Sequence, residues 1–512
     1  MKIGKTIASN EFPNTVDSFW FELKPNVIVN PFDFVTVKNV CNTESIGIVQ
    51  YLRTFVADAD NRNVPPKSRL NVRAGIMARA VVMATATTNT ANIKKSKPER
   101  IINLPVGFEK PVRFASSEQI KTALGIPHMT EPIPAGIIEN SNGLSVPISL
   151  DISYLLGPDT AHVNASGISG NLKTSYLMFL LQSIYQKLKR DQYVLILFNT
   201  KDQDLLHIHE DETAHKKISK QRSFEILDLE LKPFQNVTYF LPRGKDGKPN
   251  SLYVPDQNTK TYSYELEDVY DRLELLFSEI YEPHHNLSSI INYIYESWPI
   301  ESQATRRIKT WTDLYKFNDY PLGTITDKST LPYFQALLHR FRKSALFVDK
   351  KLTSTYLGKQ IKEMNSGNVF VIDIAMLPSL DEQSFIIGDV MKSINELYSV
   401  RIHRQTDHQN EQKNENDQAQ KIRPKYVLIF IDEINRFVPK DRPGGKLNSV
   451  AEQVMKSLIG GRSRGTILFS AQQFKSTLDD ALHQNTGTHI IAKLGLSELG
   501  TFPYSSIDKH QN

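Results

Sequence analysis

The 512-residue chain has a single cysteine, Cys41, which excludes an internal disulfide and a thiolate zinc site. A reducing, cytoplasmic compartment is therefore the expectation. Long apolar runs are also missing. None approaches the roughly 18–20 residues of a membrane span, so the chain reads as soluble, with no membrane partner. Its start, MKIGKTIASNEFPNTVDSFW, lacks the apolar core of a signal peptide. Charge of one sign is scarce as well: 61 Lys+Arg against 56 Asp+Glu leave a net +5. That balance does not argue for a nucleic-acid partner, and local patches must carry any such case. Chain length is what the sequence has in quantity, enough for about three domains of roughly 150 residues. A core of that size needs no disulfide or metal staple.

Residues 20–135 read as short β segments, FELKPNVIVN, DFVTVKNV, ESIGIVQYLRTFV and MARAVVMATA, separated by turn-forming stretches. Regular spacing of short strands predicts a small barrel or sandwich. Thr87–Arg100, polar and basic, reads as an exposed loop. From about residue 160 the pattern changes to apolar runs suited to strands buried on both faces. These are HVNAS (162–166), YVLILFN (193–199), VTYFLP (237–242), NVFVIDI (368–374), YVLIFID (426–432), TILFSA (466–471) and THIIAKL (488–494). Most precede amphipathic stretches such as Lys173–Lys189 and Ser384–Val400, the pattern of a parallel α/β sheet with right-handed crossovers. Tyr264–Gln360 has helical spacing and reads as an insertion. Gln405–Lys421, with Ala419 its only apolar residue, cannot order itself by burial and reads as a surface loop. The domains expected are residues 1–135 (β-barrel), 136–260 (first part of the core), 261–360 (helical insertion), 361–500 (second part) and 501–512 (tail).

Three segments carry chemistry. Gly167-Ile-Ser-Gly-Asn-Leu-Lys173-Thr174-Ser175 lies between a strand and a helix. A phosphate loop needs small residues that let backbone N–H groups turn inward, a lysine for the β/γ-phosphates, and a hydroxyl for Mg²⁺. Here Leu172 stands where the second glycine belongs, with Gly170 two residues earlier, and leucine resists the positive φ that glycine accepts. An ordinary Gly-Ser turn before a helix is the plain alternative. The second segment, YVLIFI followed by Asp432 and Glu433, ends an apolar strand in two carboxylates, which is costly unless something there attracts negative charge. Asp432 suits Mg²⁺ and Glu433 suits deprotonation of water, though an Asp-Glu pair also caps helices. The third, Gly460-Gly-Arg462-Ser-Arg464-Gly-Thr-Ile-Leu-Phe-Ser-Ala-Gln472-Gln473, ends a strand in an amide that could sense a γ-phosphate. Its two arginines are expected on an exposed glycine-rich connection, as trans-acting fingers or as solvated surface residues. Asn199-Thr-Lys201-Asp reads as a cap. His207, His209, His215, His284 and His285 lack zinc spacing and read as structural or surface residues.

In this order the segments resemble the HerA–FtsK branch of P-loop ATPases, specifically HerA-type hexameric ATPases, over about Phe21 to Leu499. The resemblance implies a RecA-like core behind an N-terminal β-barrel, and a homo-hexamer with ATP at subunit interfaces. It implies ATP and Mg²⁺ as cofactors, held by Gly167, Ser169, Gly170, Asn171, Leu172, Lys173, Thr174 and Ser175. Thr174 and Asp432 would serve the metal, Glu433 as base, Gln472 as sensor, and Arg462 (or Arg464) as trans finger. It further implies a DNA-translocating or helicase-type motor. A second resemblance, to ATPase subunits of antiphage defence operons, implies a nuclease or sirtuin-like NADase effector as partner. The opposing reading is a scaffold ring in which nucleotide is structural, and a third is a monomeric P-loop kinase.

Overall fold

The computed structural model describes residues 2–39, 43–56, 74–87, 104–157, 160–168, 170, 172–211, 213–277, 286–296, 308–317, 330–407, 424–440, 449–495, 498, 501 and 504. Cys41, residues 88–100, His284, His285, residues 408–421 and most of the 501–512 tail lie outside them. The described residues fall into two compact units, one within Met1–Ile152 and Ala214–Leu231, the other within Ser153–Thr213 and Lys232–Asp508.

The first unit contains a closed six-stranded barrel in the order β1-β2-β5-β4-β3-β6, every pair antiparallel. Its strands are β1 (Lys2–Ile7), β2 (Ser18–Leu23), β3 (Phe34–Lys38), β4 (Thr43–Val56), β5 (Ala74–Thr87) and β6 (Pro111–Phe114). Side chains two apart fill the interior: Phe19 and Phe21, Val35 and Val37, Ala78 and Ala80. That is the period of a strand with one face inward. Closure leaves no free edge. FELKPNVIVN is shorter as a strand than its composition predicts. Pro25 cannot donate to a ladder and Asn26 takes φ +62, so β2 stops at Leu23. β1, unread in the sequence, closes the barrel between β2 and β6. A hairpin of β7 (Pro132–Glu139) and β8 (Ser145–Asp151) follows in the same unit.

The second unit is an eight-stranded, wholly parallel sheet in the order β12-β11-β13-β10-β14-β15-β9-β16. The strands are β9 (Val163–Ser166), β10 (Tyr193–Asn199), β11 (Val237–Pro242), β12 (Thr259–Tyr262), β13 (Val369–Asp373), β14 (Tyr426–Ile431), β15 (Thr466–Gln472) and β16 (Thr488–Ile491). Seven of them coincide with the apolar runs. The eighth, β12, is TKTY at the sheet edge, too polar and short to register as a buried strand. One strand, β15, separates the strand before the phosphate loop, β9, from the strand before the Asp-Glu pair, β14. This is the RecA-like arrangement, and it sets both loops at the carboxyl edge with β15 ending between them.

Helices occupy the stretch after β12: Leu266–Val269, Asn286–Glu296, Trp311–Tyr315, Thr330–Leu338 and Leu357–Lys362. They share one continuous apolar core with β10, β13, β14 and the helices Leu380–Asp407 and Ser449–Arg464. A buried ion network crosses that core. Arg272, 2% exposed, donates to Asp389 at 2.9 Å and to Ser393 at 3.1 Å, while Tyr264 donates to Asp389 at 3.1 Å. Removing the arginine leaves a buried carboxylate without its cation. Arg272→Met is therefore expected to cost about 3–5 kcal/mol in chemical denaturation, with much of it recovered in Arg272→Met/Asp389→Leu.

The expected exposed connection at Gly460–Gly465 is instead the end of the Ser449–Arg464 helix, carrying both arginines in its last turn. Val450, Val454 and Leu458 form a buried stripe at helical spacing, which outweighs the roughly 1 kcal/mol that a glycine costs a helix. The helix ends at Gly465, φ +74, where an added Cβ would collide with the Lys425 carbonyl.

Candidate functional site

The phosphate-loop segment leaves β9 at Ser166 and enters the Lys173–Lys187 helix. Its first residue is pinned beside β16: Ile168 N–H donates to the Lys493 carbonyl at 2.9 Å, and Ala492 N–H to Ser166 at 2.8 Å. Gly167 has to be glycine there, because a Cβ would lie 2.8 Å from the Ala492 Cβ. Gly170 takes φ +79 with open space around it. Leu172 adopts the left-handed conformation after all, at φ +56 and ψ 18, with its side chain 72% exposed. It is the N-cap of the 15-residue helix and provides no side-chain cap. The leading N–H groups of a helix have no intrahelical partner, so an uncapped start presents donors and a positive dipole end, which suits phosphate oxygens. Ser169 and Asn171 lie outside the described residues. Ser175 is exposed in the first turn.

A leucine held at positive φ stores about 1–2 kcal/mol, and an exposed side chain returns little of it. Glycine would relieve that strain but loses about 0.4–1 kcal/mol through its freer unfolded chain. Leu172→Gly is therefore expected to raise stability by up to about 1 kcal/mol without loss of nucleotide binding. Gly170→Ala should cost about the strain that Leu172→Gly removes. Denaturant midpoints for the pair measure both, and a clear destabilisation by Leu172→Gly contradicts the strain argument.

The structure brings the separate motifs together. Thr174 Oγ1 donates to Asp432 Oδ2 at 2.8 Å, joining the loop helix to the end of β14. Asp432 is 4% exposed, and its other oxygen accepts from the Glu433 N–H at 2.9 Å. Glu433 sits at φ +52, which turns it out of the strand into the cleft. Lys173 folds back on its own loop, donating to the Ile168 carbonyl at 3.0 Å. Burial holds its ammonium below the ordinary lysine range, with Asp432 pulling it back up.

The sequence reading missed one participant. Lys201, read there as part of a cap, follows β10 and reaches Asp432 Oδ2 at 3.1 Å and Glu433 Oε1 at 3.5 Å. Burial works against its charge, but the two carboxylates outweigh burial and raise it above the ordinary lysine range. Its position after an apolar strand paired to β14 was the available signal. Arg436 Nη1 lies 3.6 Å from the other Glu433 oxygen, and its Nη2 donates to Gln383 at 2.9 Å. Glu433 is thus held between two cations.

Gln472 ends β15 fully buried, its amide donating to Asn164 Oδ1 at 2.7 Å and accepting from Asn164 Nδ2 at 2.8 Å. A sensor role requires that paired amide to open toward the cleft. Arg464 folds back over its own helix, where an added Cβ on Gly460 would lie 3.0 Å from the Arg464 Cζ. The side chain of Arg462 lies outside the described residues. Among the described residues no cluster of three His, Cys, Asp or Glu could hold a metal, and no helix is long and apolar enough to cross a membrane. His207 and His209 contact Glu210 and Tyr239 as ordinary polar partners.

No protein-family model matches the chain, and no curated protein matches it. Among solved structures it is similar to the bacterial conjugative coupling protein TrwBdeltaN70 in an unbound form, at 14% identity over 76% of this chain and 79% of that one, TM-score 0.39. It is similar to VirB4 of Thermoanaerobacter pseudethanolicus at 13% identity, over 72% and 86%, TM-score 0.37. Plasmid coupling protein TrwB in complex with ADP and Mg²⁺ matches at 14%, over 64% and 66%, TM-score 0.32. TrwB and VirB4 are structural neighbours. What the site can do follows from its own residues.

Those residues fit a nucleotide with its metal. A hydroxyl and a nearly buried carboxylate meet at one oxygen, a second carboxylate stands beside them, and an uncapped helix start faces the same edge. Lys201 supplies a positive charge that both carboxylates share.

Proposed function

We propose that this chain hydrolyses ATP with Mg²⁺ at the carboxyl edge of its parallel sheet. The observation that carries the reading is the meeting of Thr174, Asp432, Glu433 and Lys201 at the ends of three separate strands. Lys173 and the helix start at residues 173–175 would bind the phosphates, releasing Lys173 from its internal carbonyl. Thr174 and Asp432 would hold Mg²⁺, which would neutralise phosphate charge when bound. Glu433, poised between Lys201 and Arg436, would take the proton of the attacking water, and Gln472 would report on the γ-phosphate.

At the finer level we propose a homo-hexameric ring with Arg462 acting in trans, a DNA-translocating motor of HerA type. Control of a nuclease or sirtuin-like NADase effector in antiviral defence belongs to the same proposal, supported by the resemblance of the ordered motifs. The scaffold-ring alternative is favoured by one feature, Leu172, which stands where the second glycine of a phosphate loop belongs. Direct binding of a fluorescent ATP analogue with Mg²⁺ tests the core reading. The parent chain should bind and turn over ATP, and Lys173→Ala should weaken binding at least tenfold while melting at the parent temperature. Absence of any nucleotide binding by the parent chain defeats the reading. Binding without turnover, with a firmly bound effector, favours the scaffold.

A further inference from the structure

At the same carboxyl edge, beyond β11 and β13, the sheet carries a cavity of about 730 Å³ that the nucleotide reading does not use. Its first wall is the turn after β11. Gly244 N–H donates to the Lys248 carbonyl at 2.7 Å, Gly247 N–H to Gly244 at 3.0 Å, and Asn250 N–H to Pro242 at 2.7 Å. That hydrogen-bonded turn fixes Arg243 and Lys245 at the cavity mouth. The opposite wall is the turn around His339–Phe341 and the residues after it, which bring Arg340 and Lys343. Arg340 is already paired with Asp381. Arg243, Lys245 and Lys343 have no carboxylate partner among the described residues. The one acidic side chain at the mouth, Asp246, accepts the Lys248 N–H at 3.0 Å and so is engaged in the turn.

The cavity floor holds Glu382, 3% exposed, whose Oε2 is buried without a hydrogen-bond partner. An unpartnered buried carboxyl oxygen costs free energy, and such groups persist where a ligand or proton completes them. Burial pushes the Glu382 carboxyl up to about 7, with the Ser344 hydroxyl working against the rise and Asp381 adding to it. Near neutral pH a large fraction therefore carries a proton that can be donated. An anion drawn in by three unpaired cations would favour that protonated form further.

We infer that this cavity is a second ligand site, built for a phosphate group, with Arg243, Lys245 and Lys343 on the anion and Glu382 completing its hydrogen bonds. Several converging donors around one open space match a phosphate's three or four oxygens better than a single carboxylate. Carboxyl ends of strands in an open parallel sheet are where such ligands bind. The phosphate could belong to a free nucleotide or to a nucleic-acid strand, and the two sources separate by experiment. The inference stands independently of the nucleotide reading above.

The test uses the full chain carrying Lys173→Ala, so that the phosphate loop contributes little. Two probes are titrated: a fluorescent ADP analogue, and a labelled single-stranded oligothymidylate at several salt concentrations. Arg243→Ala/Lys245→Ala/Lys343→Ala should lower the affinity of at least one probe tenfold or more. If the strand is the ligand, its salt dependence should also become shallower by roughly one unit per lost phosphate contact. Loss confined to the analogue identifies a free nucleotide, and loss confined to the strand identifies nucleic acid. Glu382→Gln, which keeps a donor, should retain binding, and Glu382→Leu should lose it tenfold. Should the leucine variant fail to fold, the surface triple variant still decides. Affinities for both probes within twofold of the parent, or no binding of either probe by the parent, overturn the site.

Discussion

Glu433→Gln is expected to lower ATP turnover by about 10²–10⁴-fold while leaving nucleotide affinity within a few-fold of the parent. The amide matches the carboxylate in size, so the φ +52 turn that aims residue 433 into the cleft should be unchanged. What is lost is the ability to accept a proton. In the proposed mechanism phosphate binding rests on Lys173, the helix start and the Thr174–Asp432 contact, none of which passes through residue 433. The substitution also frees Lys201 and Arg436 from the one anion they share. Lys201 then has Asp432 alone as partner, so affinity for Mg²⁺-nucleotide should shift modestly and not collapse. Steady-state phosphate release, set beside equilibrium binding of an ATP analogue, separates these effects. Turnover equal to the parent would remove Glu433 from the base role. Equal loss of turnover and binding would mean that residue 433 shapes the pocket and performs no proton transfer.

Much of this site was legible before the structure because its parts are local. An apolar strand that ends in Asp432-Glu433 and a loop that ends in Lys173-Thr174 are each contiguous in the chain. A parallel sheet, though not its strand order, then followed from seven mostly apolar runs, of which six are buried as two covered faces require and β16, at the sheet edge, is half exposed. Elements whose signal is not local were missed. β1 and β12 are strands only because a barrel gap and a sheet edge await them, and their composition says little. Lys201 joins this cluster only through a neighbour 231 positions away, a distance no spacing rule spans. Gly460 and Gly461 misled in the other direction, since local glycine content argues for a loop while the buried stripe of Val450, Val454 and Leu458 carries the helix through. Glu382 gave no motif at all, since only burial distinguishes it from any acidic residue in a first helical turn.

The position of that helix bears on the choice between the two arginines. Arg464 lies back across Gly460, where the missing Cβ makes room for its guanidinium. Arg464 is thus engaged on its own helix, and Arg462 remains the proposed finger. Arg462→Ala is expected to reduce turnover by about 10³–10⁵-fold if its guanidinium reaches a neighbouring subunit's phosphate, with Arg464→Ala far milder. Nucleotide affinity should change little in either, since a finger acts mainly on charge that develops in the transition state. Mixing gives the sharper result. An Arg462→Ala subunit keeps its own Lys173, Asp432 and Glu433 but lacks a finger to give its neighbour. A Glu433→Gln subunit lacks the base but still offers Arg462. Combined in one assembly, the first kind of site receives the second kind's arginine, so turnover should return to a sizeable fraction of the parent's although each variant alone is inactive. Mixtures that co-assemble and stay inactive would place Arg462 outside the neighbour's site, and with it the interface on which the ring depends.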